Sequence, residues 1–351
     1  MMKSIKSRNR LFSAAATAAL GLASFGSAVQ ADEAAVAEFY QGNTVELLVG
    51  YSAGGGYDAY SRTLARHIGK HIPGNPDVIV KNVPGAGSLV LMNQLANSLP
   101  SDGSVFGAVN SGMAYEPLFA NDKAQFETND MSWIGNLNIE VALGIARKDA
   151  GAESIYDLRD TRITMGATGA GANTNVIPRV LSEIYDLQID VIAGYPGAAD
   201  VRLAVERGEI DGIGMSALSS TLARTPEWLE PDSDYVVLWQ VASERSEQLP
   251  DVPLAGDMAE TDEQRMAVEL LIARLAMGRP FVAPPGVPAD RLEALRTAFM
   301  ATVEDPEFLA DAEGQGLIVQ PVSGQEMQEY FKQVYDFPQE IVDIVKTAMT
   351  E

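Results

Sequence analysis

The sequence predicts an α/β protein of two lobes, and three observations carry that prediction. Strand signals alternate with helix signals in two successive blocks. Each block holds a glycine-rich turn between an apolar strand and a helix. After a short leader roughly 320 residues remain, more than a single hydrophobic core usually serves. In the first block VELLVGY reads as a strand, followed by a helix to Ile68, the strand DVIVKNV, a helix over Leu89–Asn97 and the strand SVFGAVN. The second block repeats this order with RITMGAT, a helix from Asn173 to Tyr185, DVIAGY, a helix from Ala198 to Arg207, and IDGIGMS. The strands are expected to be mainly parallel. Residues Trp133–Ala146 are expected to cross into the second lobe, with a return between about Val236 and Phe281. Helices then fill Ala289–Val303 and Gly324–Met349. The chain thus divides into a leader (1–31), the first part of lobe 1 (32–140), lobe 2 (141–245), and a return crossover with the C-terminal part of lobe 1 (246–351).

The leader says where the protein works. Lys3, Lys6, Arg8 and Arg10 precede an uncharged run from Leu11 to Phe25, and Val29-Gln30-Ala31 before Asp32 is a cleavage signal for a secretory signal peptide. At about fifteen residues the run is short for a membrane span, which needs roughly twenty. With no twin-arginine pair, export proceeds unfolded, which argues against a cofactor loaded in the cytoplasm. The chain has no cysteine, so no disulfide staples it and the fold rests on its core. Its formal net charge of −23 disfavours nucleic acid as a partner. That acidity is read as solubility, with no metal role assigned.

The turns carry the chemistry. Ser52-Ala53-Gly54-Gly55-Gly56 links the first strand to its helix, and without β-carbons its main-chain N–H groups can approach a ligand while the helix start adds unpaired donors. Gly166 to Asn173 is a second such turn, in which Thr168, Gly169, Ala170, Gly171 and Asn173 are candidate ligand contacts. Its G-x-x-G-x-G spacing departs from the dinucleotide fingerprint. Tyr195-Pro196-Gly197-Ala198 is a third turn, with Tyr195, Gly197 and Ala198 as candidates, and Asn110-Ser111-Gly112 adds Ser111. All lie beyond the carboxyl ends of strands, where ligands bind in open α/β sheets. Asp58, four residues before Arg62, is expected to order the first loop or to accept a hydrogen bond from a ligand.

Two enzymatic readings compete. Gly50-Tyr51-Ser52-Ala53-Gly54 matches the nucleophile elbow of a secreted serine hydrolase. The only histidines, His67 and His71, lie far along the helix that leaves that elbow, so a triad cannot close on Ser52. Their i, i+4 spacing could share a metal, but no acid lies between them and Gly69 and Pro73 mark a helix end, where imidazoles are ordinary. No catalytic residue, cofactor or metal is therefore assigned.

GYSAGGGYDAYSR, NVPGAGS, PSDGSVFG, MGATGAGANTN, GYPGAADVRLAVERGEIDG and FVAPPGVPADRLEALRTAF, in this order, resemble the substrate-binding proteins of tripartite tricarboxylate transporters, the Bug receptors. The resemblance implies a type II-like periplasmic-binding-protein fold with the ligand cleft between its lobes. It also implies a monomer that binds a small carboxylate through backbone amides and ordered waters and delivers it to the large and small subunits of a membrane permease. Presentation of ligand to a membrane kinase is a further possibility for such a receptor. Ser52 stands where the family commonly has proline. Ala167 and Ala172 replace its usual hydroxyl residues, so Thr168, Asn173 or Thr174 is expected to take over, and the usual proline-threonine segment of the return crossover is altered to Val252-Pro253-Leu254-Ala255. A di- or tricarboxylate is the expected ligand class.

Overall fold

A short helix, α1 (residues 33–40), opens the described part of the chain, which in this computed structural model comprises residues 33–333 and 336–350. The expected signal peptide lies outside those residues. There follow β1 (Thr44–Val49), α2 (Gly56–Ile68), β2 (Asp77–Asn82), α3 (Leu89–Asn97), β3 (Val105–Ala108) and β4 (Ser132–Asn136). β1 is an apolar run because helices cover both faces of its sheet, whereas β2 lies at the edge and alternates between exposed and half-buried residues. The second block contains β5 (Ala142–Arg147), β6 (Ile163–Ala167), α4 (Asn173–Tyr185), β7 (Ile189–Ala193), α5 (Ala198–Glu206), β8 (Gly212–Ala217), α6 (Leu218–Arg224) and β9 (Tyr235–Val241). The chain then forms α7 (Asp262–Ala273), β10 (Pro280–Ala283), α8 (Ala289–Val303), α9 (Pro306–Gly314), β11 (Val322–Ser323), α10 (Gly324–Gln333) and α11 (Gln339–Thr350).

Two sheets result, ordered β11-β4-β10-β3-β1-β2 and β7-β6-β8-β5-β9. The strands of the two sheets are joined through residues 137–141 and 274–279, so the stretch expected as one crossover, Trp133–Ala146, contains a strand of each sheet joined by a short link. The sheets are mixed, not mainly parallel, with five of nine strand pairings antiparallel. The crossings explain why. β1, β3, β6 and β8 end at the cleft, while β5 and β10 start there after crossing and must run against their neighbours.

Two further expectations change. The helix read over Gly324–Met349 breaks into α10 and α11 beside Pro338, which has no N–H to continue the ladder. Ile341, Val342 and Val345 of α11 are buried in one cluster with Ile177 and Leu181 of α4 and Leu271 of α7. The end of the chain therefore packs on the second lobe, where apolar surface of α4 is available, and does not stay with the first as the 246–351 assignment has it.

Candidate ligand-binding cleft

The strand ends of both lobes deliver three helix starts to one place. α2, α4 and α5 begin after Gly55, Ala172 and Gly197, and none of these N-cap residues offers a side-chain cap. Apart from the Asn175 and Asp200 N–H groups, which bond to the Ala172 and Gly197 carbonyls, their first-turn amides and the positive ends of their dipoles are left for another acceptor. Between the lobes lies a partly open cavity of about 50 Å³. Its walls are Tyr51, Gly55, Gly56 and Tyr57 from the first lobe, Thr168, Thr174, Ala198, Arg202 and Ser220 from the second, and Glu140 and Arg279 from the crossings. The rings of Tyr51 and Tyr57 stack with centroids 4.9 Å apart and form the apolar side.

Two guanidinium groups reach this cavity in different electrostatic situations. Arg279 is 3% exposed and Glu140 4%, and Arg279 Nη2 lies 3.1 Å from Glu140 Oε2. The same nitrogen donates to Ser220 Oγ at 2.7 Å and Ser219 Oγ at 3.2 Å. The Arg279 guanidinium carbon stands 4.8 and 5.0 Å from the ring centroids of Tyr57 and Tyr60. Glu140 accepts in turn from Ser219 Oγ at 2.6 Å and Asn138 Nδ2 at 2.9 Å. Burial opposes the charge of Arg279, but Glu140 and the tyrosines outweigh it and hold its pKa above the ordinary arginine value. Arg202 has no such counterion. No carboxylate among the described residues comes within 4 Å of it, its single hydrogen bond is a 3.4 Å contact from Nη2 to the Gly54 carbonyl, and burial lowers its pKa.

The candidates read from the sequence fall into groups. Gly55, Gly56, Thr168 and Ala198 line the cavity. Thr168 N–H donates to Thr174 Oγ1 at 3.0 Å and the two hydroxyls lie 2.9 Å apart, so of the three proposed replacements for the missing hydroxyls the two threonines face the cavity. Asn173 instead donates from Nδ2 to Ser111 Oγ at 2.9 Å and accepts at Oδ1 from Arg274 Nε at 3.0 Å. Ser111 N–H donates to the Tyr57 hydroxyl at 3.1 Å. Both residues thus clasp lobe to lobe. Ser52 does the same, donating from Oγ to Asp200 Oδ2 at 2.6 Å, and a side chain at Gly197 would overlap that hydroxyl.

Asp58 is spent on its own loop. It accepts from Gly54 N–H at 3.0 Å, Arg62 Nε at 3.0 Å and Asn82 Nδ2 at 2.9 Å. Burial pulls its pKa up, but these donors outweigh burial and hold it below the ordinary aspartate value. Ala53 and Gly54 are exposed. Gly169, Ala170 and Tyr195 line a wider groove of about 520 Å³ with Pro84, Gly85 and Ala86. Gly169 is needed there for close approach, because a β-carbon on it would overlap the Ala86 carbonyl. Gly171 answers to a different constraint again: a β-carbon would overlap the Glu116 carboxylate, and its carbonyl accepts from Arg274 Nη2 at 2.7 Å. Burial raises the pKa of Glu116 against the opposing effects of Arg274 and Asn121.

Neither histidine is bonded to Ser52. His67 and His71 contact Asp311 and Asp305, each at 2.9 Å, while Ser52 is bonded to Asp200. Ligating atoms of His67, Asp305 and Glu307 do gather within 4.8 Å of one another. The Lys70 ammonium already sits on both acids, at 2.6 and 2.5 Å.

Sequence reasoning missed Tyr57, Glu140, Arg202, Ser220 and Arg279. A signal exists for two of them. Glu140 is the lone charged residue from Met131 to Ala146, and Arg279 the lone one from Leu275 to Ala289. Isolated charges in apolar segments are expected to be buried and paired.

Comparison with known proteins gives a consistent answer. The profile described as the tripartite tricarboxylate transporter family receptor matches residues 61–346. A UPF0065 protein of Bordetella pertussis is 24% identical over 87% of this chain and 90% of its own. A second UPF0065 protein, from Cupriavidus necator, is 26% identical over 84% of this chain and 83% of its own. Among solved structures, the periplasmic binding protein BugD superposes with a TM-score of 0.71 at 21% identity, covering 88% of this chain and 98% of its own. The malate-bound MatC of Rhodopseudomonas palustris gives a TM-score of 0.68 at 17% identity, over 88% and 99%. An adipate-bound protein of the same organism gives 0.68 at 16%, over 87% and 97%. The fold is that of two-lobed periplasmic binding proteins.

Proposed function

The chain belongs to the tripartite tricarboxylate transporter receptor family, the Bug receptors, and from that premise we propose that it is a periplasmic monomer that closes its lobes on a small di- or tricarboxylate and hands it to the large and small subunits of a membrane permease. The observation that carries this reading is the convergence of three uncapped helix starts and an unpaired Arg202 on one interlobe cavity. Such a site favours an anion through oriented amides and a guanidinium, in a cleft partly withdrawn from water. Carboxylates bound in relatives of the same fold support the class.

Closure is part of the mechanism. The cavity of about 50 Å³ is well below the roughly 150 Å³ that takes a benzene ring, so a diacid enters when the lobes part about the crossings at 137–141 and 274–279. The Ser52–Asp200 and Asn173–Ser111 bonds then re-form over it. A thermal-shift screen of small carboxylates tests the proposal. A ligand at about 100 times its Kd stabilises by roughly 2.7 kcal/mol, a rise in Tm of about 5 °C. Shifts with neutral sugars and none with carboxylates would sink it. Loss of carboxylate uptake in cells lacking the chain tests delivery to the permease.

A further inference from the structure

We propose that Arg202 selects the ligand class of the cleft: its guanidinium pairs with a second carboxylate, so that diacids are bound in preference to monoacids of the same length. This rests on the carboxylate-receptor reading and adds to it the residue that counts charges.

Of the two guanidinium groups on the cavity wall, Arg279 is neutralised by Glu140, and its Nη2 is already engaged by Ser219 and Ser220. Arg202 holds a planar fork of five N–H donors and uses one of them, in the long contact to the Gly54 carbonyl. The nearby acids are otherwise placed, since Asp200 takes the Ser52 hydroxyl and neither Glu206 nor Glu227 comes within 4 Å. Arg202 lies four residues after Ala198, hence on the same face of α5 as the helix start that lines the cavity. A carboxylate held by the starts of α2 and α4 with Thr168 and Thr174 leaves the far end of a short chain toward this fork. There it would replace a weak lobe contact by a bidentate ion pair in a partly desolvated site.

Calorimetric titration of wild type, Arg202→Gln and Arg202→Lys with succinate, glutarate and adipate, and with butyrate, valerate and hexanoate, tests this. Wild type is expected to bind the best diacid at least roughly tenfold more tightly than its monoacid counterpart. In Arg202→Gln the diacid weakens roughly 10- to 100-fold while the monoacid is unchanged, and Arg202→Lys recovers part of the loss. Equal weakening of both acids would make Arg202 a lobe latch and overturn the proposal, as would unchanged diacid affinity. Wild type with intact melting that binds none of the six overturns the diacid preference, and failure with citrate as well overturns the receptor reading itself.

Discussion

Removing Arg279 should unsettle this protein more than removing any cavity-lining hydroxyl. The Arg279→Met substitution keeps an apolar stem of similar length but deletes a charge that is 3% exposed and sits 3.1 Å from a carboxylate that is 2% exposed. Glu140 keeps its donors from Ser219 and Asn138 and loses the one group that balances its charge. Breaking a buried pair from one side costs about 3 to 5 kcal/mol, because the partner stays buried and uncompensated. At roughly 2 °C per kcal/mol for a chain of this size, Tm falls by about 8 °C. Glu140→Gln strands the opposite charge and should lose a similar amount, whereas the double variant strands neither and should recover most of it. Urea unfolding of the four proteins closes the cycle, with a coupling of at least about 2 kcal/mol expected. Additive losses, or a loss below about 1 kcal/mol in Arg279→Met, would refute the argument that this pair ties the two crossings together.

Other outcomes follow from the same geometry. Glu116 has a pKa raised by burial, so it favours the fold below its unfolded value and that contribution is lost as pH rises through the folded one. Glu116→Gln should therefore gain stability relative to wild type from about pH 4.5 upward, and parallel pH-stability curves would contradict this. Gly171→Val drives a β-carbon into the Glu116 carboxylate and should lose roughly 1 to 3 kcal/mol in a denaturant melt. Gly55→Ala, whose β-carbon meets nothing within 4 Å, should melt near wild type while weakening carboxylate binding measured by calorimetry. Ser52→Ala removes the bond to Asp200 and should raise the ligand off-rate in stopped-flow, with stability changed by about 1 kcal/mol or less and no ester hydrolysis in either protein.

Much of this architecture is legible in the residue order. The helices over Leu89–Asn97, Asn173–Tyr185 and Ala289–Val303 lie where periodicity places them, because amphipathic spacing and turn residues act over a few positions. The glycine turns at Gly54–Gly56 and Gly169–Gly171 mark the cleft, since strand-to-helix turns in α/β sheets gather at the strand ends. What each glycine serves was not legible. Gly55 and Gly56 open onto the cavity, Gly169 admits the Ala86 carbonyl of the other lobe, and Gly171 makes room for Glu116, all through contacts between residues distant in the chain.

Local spacing thus suffices for most of the elements and for the two-lobed α/β class, and the order of the motifs for the family. The antiparallel strands, the docking of α11 on the second lobe and the pairing of Glu140 with Arg279 required the fold. Each depends on where the chain passes from one lobe to the other, and the energy of a buried charge is set by neighbours more than a hundred residues away, which no local pattern records.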